Sequence, residues 1–201
     1  MKKYSSNQSG RSMIEMLGVL AIVGVLSVAG IAGYSKAMAK YKTNKLIDQV
    51  STVAANVRTT FAGQGNYKGL YSETAYNLGI FPEETAKDCS SKFALSCLKN
   101  AFGGGFMLTL VVDDATYPSS FVIGMDGLSK DACSAILSTD WGAASGFWGY
   151  DGGASGVSVD DMSGIYYKTD LTAKEYWTMS EIAKKCSCNN ENTCYAVLGF
   201  N

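Results

Sequence analysis

Residues 13–34, MIEMLGVLAIVGVLSVAGIAGY, form one apolar run interrupted by a single carboxylate, Glu15. A helix of that length reaches about 33 Å, enough to cross the hydrocarbon core of a bilayer. The run has no polar side to offer to solvent, so it needs lipid or sister helices around it. An ordinary secretory signal peptide fits poorly, because the stretch is too long and no small-residue cleavage site closes it. A plain membrane anchor has no use for Glu15, since an unpaired carboxylate in apolar surroundings is strongly unfavourable. Glu15 therefore calls for a positively charged partner.

Ahead of the run, residues 1–10 (MKKYSSNQSG) are short, polar and basic, and they end in Gly10. Glu15 is the fifth residue counted from Arg11. A basic leader ending in glycine, an acid five places on and roughly twenty apolar residues resemble the N-terminus of the type IV prepilin family. The resemblance covers residues 1–40. It implies cleavage between Gly10 and Arg11 by a prepilin peptidase, and pairing of Glu15 with the N-terminal amine of a neighbouring subunit. That pairing would supply the partner the buried acid needs. One position departs from the pattern: Arg11 stands where the family usually carries Phe, Met or another apolar residue. An arginine there sets two positive groups near Glu15 and weighs against the N-methylation of residue 11 that the family usually shows.

The resemblance further implies a subunit held in the bacterial inner membrane by a single pass, with its C-terminal part outside the cytoplasm. From there an inner-membrane assembly platform would build it into an extracellular filament, as a homopolymer or with other subunits. Pilus display, with cell adhesion as one use, is favoured over a type II secretion pseudopilus. The head size and cysteine load resemble the larger type IVb pilins, although the leader is short for that group. The reading from another class is a membrane-anchored exported domain that binds or hydrolyses something.

Charge and cysteine usage bear on these readings. Positive residues flank the span on both sides, so the positive-inside rule does not orient it. The six cysteines do: Cys89, Cys97, Cys133, Cys186, Cys188 and Cys194 all follow the span, and disulfides need an oxidising compartment. Histidine is absent, which removes the commonest general base and a frequent metal ligand. No catalytic residue, metal or cofactor is expected. A net charge of −1 argues against nucleic acid as a partner. From residue 46 onward 17 acids face 10 Lys or Arg, so an acidic head follows a basic foot. That polarity favours head-to-foot stacking, though solvated surface charge is the plainer explanation.

Helical periodicity continues past the span. Tyr41, Ile47, Val50, Val53, Ala54, Val57 and Phe61 recur near i, i+3, i+4 spacing, with Lys42, Lys45, Asp48, Gln49, Thr52 and Arg58 on the other face. Gly63–Gln64–Gly65 should end the helix. Gly18, Gly24, Gly30 and Gly33 within the span permit close helix packing; the other reading is that Gly24–Gly30 marks a stretch able to melt on leaving the bilayer. The expected organisation is a leader at 1–10, an assembly helix at 11–35, its amphipathic continuation at 36–63 and an exported head at 64–201. The expected fold is the α+β pilin fold: one long helix on an antiparallel sheet, with a disulfide-closed C-terminal region.

Within the head, 106–114 and 121–125 read as a β-hairpin, 128–141 as a short helix, and TCYAVLGF as a terminal strand. IYYKTD reads as a strand and TAKEYWTMSEIAKKC as a short helix. Phe81–Pro82–Glu83–Glu84 reads as a helix start, and the Gly/Ser-rich stretch from Gly142 to Gly164 as a long loop or irregular hairpin.

Six cysteines allow fifteen pairings. Cys186 and Cys188 are too close to bond each other. Cys89 and Cys97 would stand about 12 Å apart in an unbroken helix, so they pair only if that segment bends. The expected set is Cys89–Cys97, Cys133 with Cys186 or Cys188, and the remaining one with Cys194.

Other candidates carry less. Disulfides are favoured over a metal cluster for Cys186-x-Cys188-x5-Cys194. Asp113–Asp114 and Asp160–Asp161 lack the alternating oxygen spacing of a calcium loop. Gly103–Gly104–Gly105 is followed by neither Lys-Ser/Thr nor a helix, so it is no phosphate loop. Phe147, Trp148 and Tyr150 suit an adhesive or subunit-contact patch and core packing equally.

Overall fold

A computed structural model describes residues 13–89, 94–112, 119–142, 147–153, 166–167, 177–188 and 194–201. The chain divides into two compact units, one ending at Tyr41 and one running from Lys42 to Asn201. Helix α1, Met13–Phe61, contributes to both. It contains no proline, and its backbone turns out after Phe61, whose carbonyl accepts from the amides of Gln64 and Gly65. Gly65 takes a φ of +68°, the left-handed conformation that glycine adopts without penalty.

In the second unit α1 buries Leu46, Gln49, Val50, Val53, Ala54, Val57 and Phe61. This stripe differs from the expected one at its start. Tyr41 is 62% exposed and Leu46 is fully buried. Five residues at 3.6 per turn place them about 140° apart round the helix, so both cannot face the core. Gln49, expected on the solvent face, is only 3% exposed, because it meets the loop that follows α2 (Ser72–Asn77).

Strands β1 (Phe106–Val112), β2 (Ser120–Leu128), β3 (Phe147–Gly153), β4 (Tyr166–Tyr167) and β5 (Cys194–Phe200) form one sheet of order β3-β5-β2-β1-β4, on which the stripe packs. Strands β1 and β2 pair antiparallel with Leu108 opposite Ile123. The terminal strand β5, Cys194–Phe200, inserts beside β2 with Leu198 opposite Ile123. Alternation then assigns the faces. Phe106, Leu108 and Leu110, with Phe121, Ile123, Met125, Ala196, Leu198 and Phe200, belong to the main core with α1. Met107, Val111, Val122 and Val197 form a second buried cluster on the opposite face. Phe121 stacks on Phe200 at 5.4 Å, and Phe81 meets Phe106 edge-on at 6.0 Å.

Two local expectations are corrected, and the strand expected in IYYKTD is found. Part of the Gly/Ser-rich stretch is strand β3, Phe147–Gly153, paired antiparallel with β5. Strand β4, Tyr166–Tyr167, runs parallel to β1, so the sheet is antiparallel except at this edge. No helix starts at Pro82. Its carbonyl accepts from Thr85 and Ala86, but the Thr85 carbonyl is taken by Lys99 N at 2.8 Å. A carbonyl committed to a distant segment cannot continue a helical ladder.

The expected helices at 128–141 and near the C-terminus are α3, Lys130–Ser138, and α4, Met179–Lys185. Ser129 caps α3 by accepting from Ala132 N. A capping box closes α4: Thr178 accepts from Glu181 N, and the Glu181 carboxylate accepts from Thr178 N.

Candidate functional site

Two features dominate. The first is the N-terminal part of α1. Every residue from Met13 to Ala37 is exposed, with Met13 at 81% and Val25 at 71%. The helix is long and apolar enough to cross a membrane by length and composition. So large a continuous apolar surface marks a partner or membrane contact. Its polar atoms are few and locally satisfied where they can be: Ser27 Oγ donates to the Val23 carbonyl at 2.8 Å. Gly18, Gly24, Gly30 and Gly33 have open space beside them, with no atom within 4 Å of a built Cβ. Neighbouring helices could therefore approach their backbones closely.

Glu15 lies in the first turn of this helix, where a carboxylate complements the positive end of the helix dipole. It is exposed, and among the described residues no cation pairs with it. Gly10 and Arg11 lie outside the described residues.

The second feature is the closure of the head. Disulfides join Cys89–Cys97, Cys133–Cys186 and Cys188–Cys194. The first spans a bend rather than a helix, with Cys97 in the short 3-10 turn Leu95–Cys97 and the Cα atoms 4.9 Å apart. The second ties α3 to the end of α4 across a sequence separation of 53. The third anchors the first residue of β5. Cys133, Cys186, Cys188 and Cys194 are all buried in the main core.

The remaining candidates separate. Gly103–Gly104–Gly105 forms the turn into β1, where Asn100 Nδ2 donates to the carbonyls of Gly105 and Asp126. Among the described residues no group of His, Cys, Asp or Glu is arranged to hold a metal ion. Asp113–Asp114 and Asp160–Asp161 lie outside the described residues. Phe147, Trp148 and Tyr150 fall in β3, whose backbone alone is described. Residue spacing did not reveal that the Gln49 side chain bridges Thr85 and the Ala101 amide. A lone amide at the border of an apolar stripe was the available signal.

The model of the family described as PilS N terminal matches residues 40–198. The chain belongs to this pilin family. The PilS-family chain is thus a pilin-like structural subunit, one that self-assembles into a filament rather than an enzyme. The match begins at residue 40, so Glu15 and the leader rest on their own sequence and not on it. One solved structure supports the fold and a second is reported beside it. A type IV b pilin from Salmonella typhi is 16% identical with a TM-score of 0.51, covering 79% of this chain and 98% of that one. TcpA, a type IV pilin from Vibrio cholerae El Tor biotype, is 14% identical with a TM-score of 0.49, covering 80% of this chain and 99% of that one. No curated protein matches the chain.

Proposed function

We propose that the PilS-family chain is a subunit of a type IV pilus-like surface filament of the type IVb kind, assembled through the N-terminal part of α1. One observation carries this reading: along a single helix, the large apolar side chains from Met13 to Ile31 are all exposed, whereas Leu46, Val50, Val53, Val57 and Phe61 are buried. The buried part serves the head. The exposed part must be covered by lipid before assembly and by sister helices after it.

In this account a prepilin peptidase cuts between Gly10 and Arg11, and the inner membrane holds the subunit through residues 11–35. Glu15 then pairs with the Arg11 amine of a neighbour as the assembly platform draws the helix into the bundle. Lipid and a bundle of apolar helices solvate the same surface, so transfer between them asks little of the hydrophobic effect. The charge pair sets the register, because an unpaired Glu15 in the bundle is strongly disfavoured. The three disulfides suit a head that works outside the cell.

Shearing intact cells and weighing the released chain by mass spectrometry tests the proposal. A chain beginning at Arg11 in the sheared filaments is the expected result. A processed chain found only in the cell envelope would favour a secretion pseudopilus. An unprocessed chain confined to the membrane would leave an anchored exported domain.

A further inference from the structure

Past its apolar run, α1 carries Lys36, Lys40, Lys42 and Lys45. The last two are engaged: Lys42 lies 5.9 Å over the Phe102 ring, and Lys45 pairs with Glu84 at 3.9 Å. Lys36 and Lys40 are exposed, and among the described residues no acid pairs with either. No neighbour along the helix can serve, because no Asp or Glu occurs between Glu15 and Asp48.

These two lysines sit at a defined height. Residues 16–35 hold no charged side chain, so Lys36 is the first charge after Glu15. The helix between the two rises about 31 Å, which matches the hydrocarbon core of a bilayer. With Glu15 at one border of the core, Lys36 reaches the other. The residues around it divide by face. Lys36 and Lys40 are one turn apart and share a face. Tyr34 and Tyr41, 65% and 62% exposed, are two turns apart and share another, about 130° round the helix. A tyrosine ring with its hydroxyl suits the border between lipid and water. A lysine there lays its stem along the apolar layer and holds its ammonium among the headgroups.

We infer that Lys36 and Lys40 together bind the phosphate headgroups of acidic phospholipids, in the leaflet facing away from the cytoplasm, with Tyr34 and Tyr41 seated at the same border. The inference rests on the membrane-held subunit proposed above. The pair fixes the depth of the unassembled subunit, so acidic lipid stabilises the state that assembly must leave. An acidic patch on a second copy would offer the same charge, but not the border between apolar and polar layers that the two tyrosines fit.

The test embeds the full-length chain in nanodiscs of equal phosphatidylglycerol and phosphatidylcholine, and native mass spectrometry counts the lipids that stay bound. The parent should retain phosphatidylglycerol in preference. Lys36→Gln/Lys40→Gln should lower that preference at least about fivefold, the effect of one lysine near an acidic membrane surface. Lys36→Arg/Lys40→Arg should keep it. Lys184→Gln/Lys185→Gln, which removes the same charge from α4, should leave it unchanged. An unaltered preference in Lys36→Gln/Lys40→Gln overturns the inference, as does an equal drop in the α4 variant. So do salt-sensitive dimers in phosphatidylcholine alone that the Lys36→Gln/Lys40→Gln pair abolishes, which would make the lysines a contact between copies. A chain that inserts but shows no preference sinks the inference alone. A chain that does not insert sinks the membrane-held reading with it.

Discussion

Gln49, on the buried face of α1, donates from Nε2 to Thr85 Oγ1 at 3.2 Å and accepts at Oε1 from Ala101 N at 3.0 Å. One amide thus fastens two points of the connection between α2 and β1 to the helix. Nearby, Asn56 Nδ2 donates to the Ile80 carbonyl at 2.8 Å. These bonds hold the connection where apolar contact alone would let it slide. Replacing Gln49 with Leu leaves the Ala101 amide and the Thr85 hydroxyl without their partner. A loss of about 1–3 kcal/mol is expected, read as a lower denaturant midpoint at unchanged slope. A variant as stable as the parent would show that the bridge is incidental.

The three disulfides should not contribute equally. Chain-entropy arguments give about 4 kcal/mol for a loop the size of that closed by Cys133–Cys186, and about 2–3 for the shorter two. Double Cys→Ala variants, unfolded in denaturant without reductant, should therefore rank the Cys133/Cys186 pair as the costliest. If the Cys188/Cys194 pair proves costlier, anchoring of β5 outweighs loop length.

Gly104 approaches β2 so closely that an added Cβ would collide with the backbone carbonyl of Asp126. Gly127 faces it with φ +68°, and its own Cβ would lie 2.8 Å from Gly104 Cα. Gly104→Ala should cost about 1–3 kcal/mol by overpacking, while Gly63→Ala, with open space around it, should be nearly neutral. Thermal unfolding of the two variants side by side checks this, and equal melting temperatures would contradict it.

Tyr67 predicts an alkaline signature. Burial raises its pKa, so the fold stabilises the neutral phenol. That contribution is complete below the unfolded value near pH 10, and it is lost as pH rises through the folded-state value. The parent should lose stability on passing above about pH 10, and Tyr67→Phe should lose less over the same interval. Identical profiles would remove burial of Tyr67 as a cause.

Much of this architecture is legible in the residues, for reasons that differ by element. FMLTLVV declares itself by β-formers and alternation, and its partner by the apolar run after Pro118. FWGYDGG does not, because three of its seven residues are glycine and depress strand propensity. Its pairing with β5 comes from tertiary context. Pro82–Glu83–Glu84 carries a sound local signal for a helix, overridden when Lys99 claims the Thr85 carbonyl. Gln49 sits beside the apolar stripe, and only the position of the loop it binds decides that it is buried. Glu15 was legible for the opposite reason: a charge is conspicuous where every neighbour is apolar.

The most direct measurement is the amount of sheared surface filament from cells carrying Glu15→Ala, compared with the parent and with Glu15→Asp. Full processing after Gly10 is expected in all three, with no filaments from Glu15→Ala and reduced filaments from Glu15→Asp. Parental amounts of filament from Glu15→Ala would contradict assembly through a Glu15–amine pair.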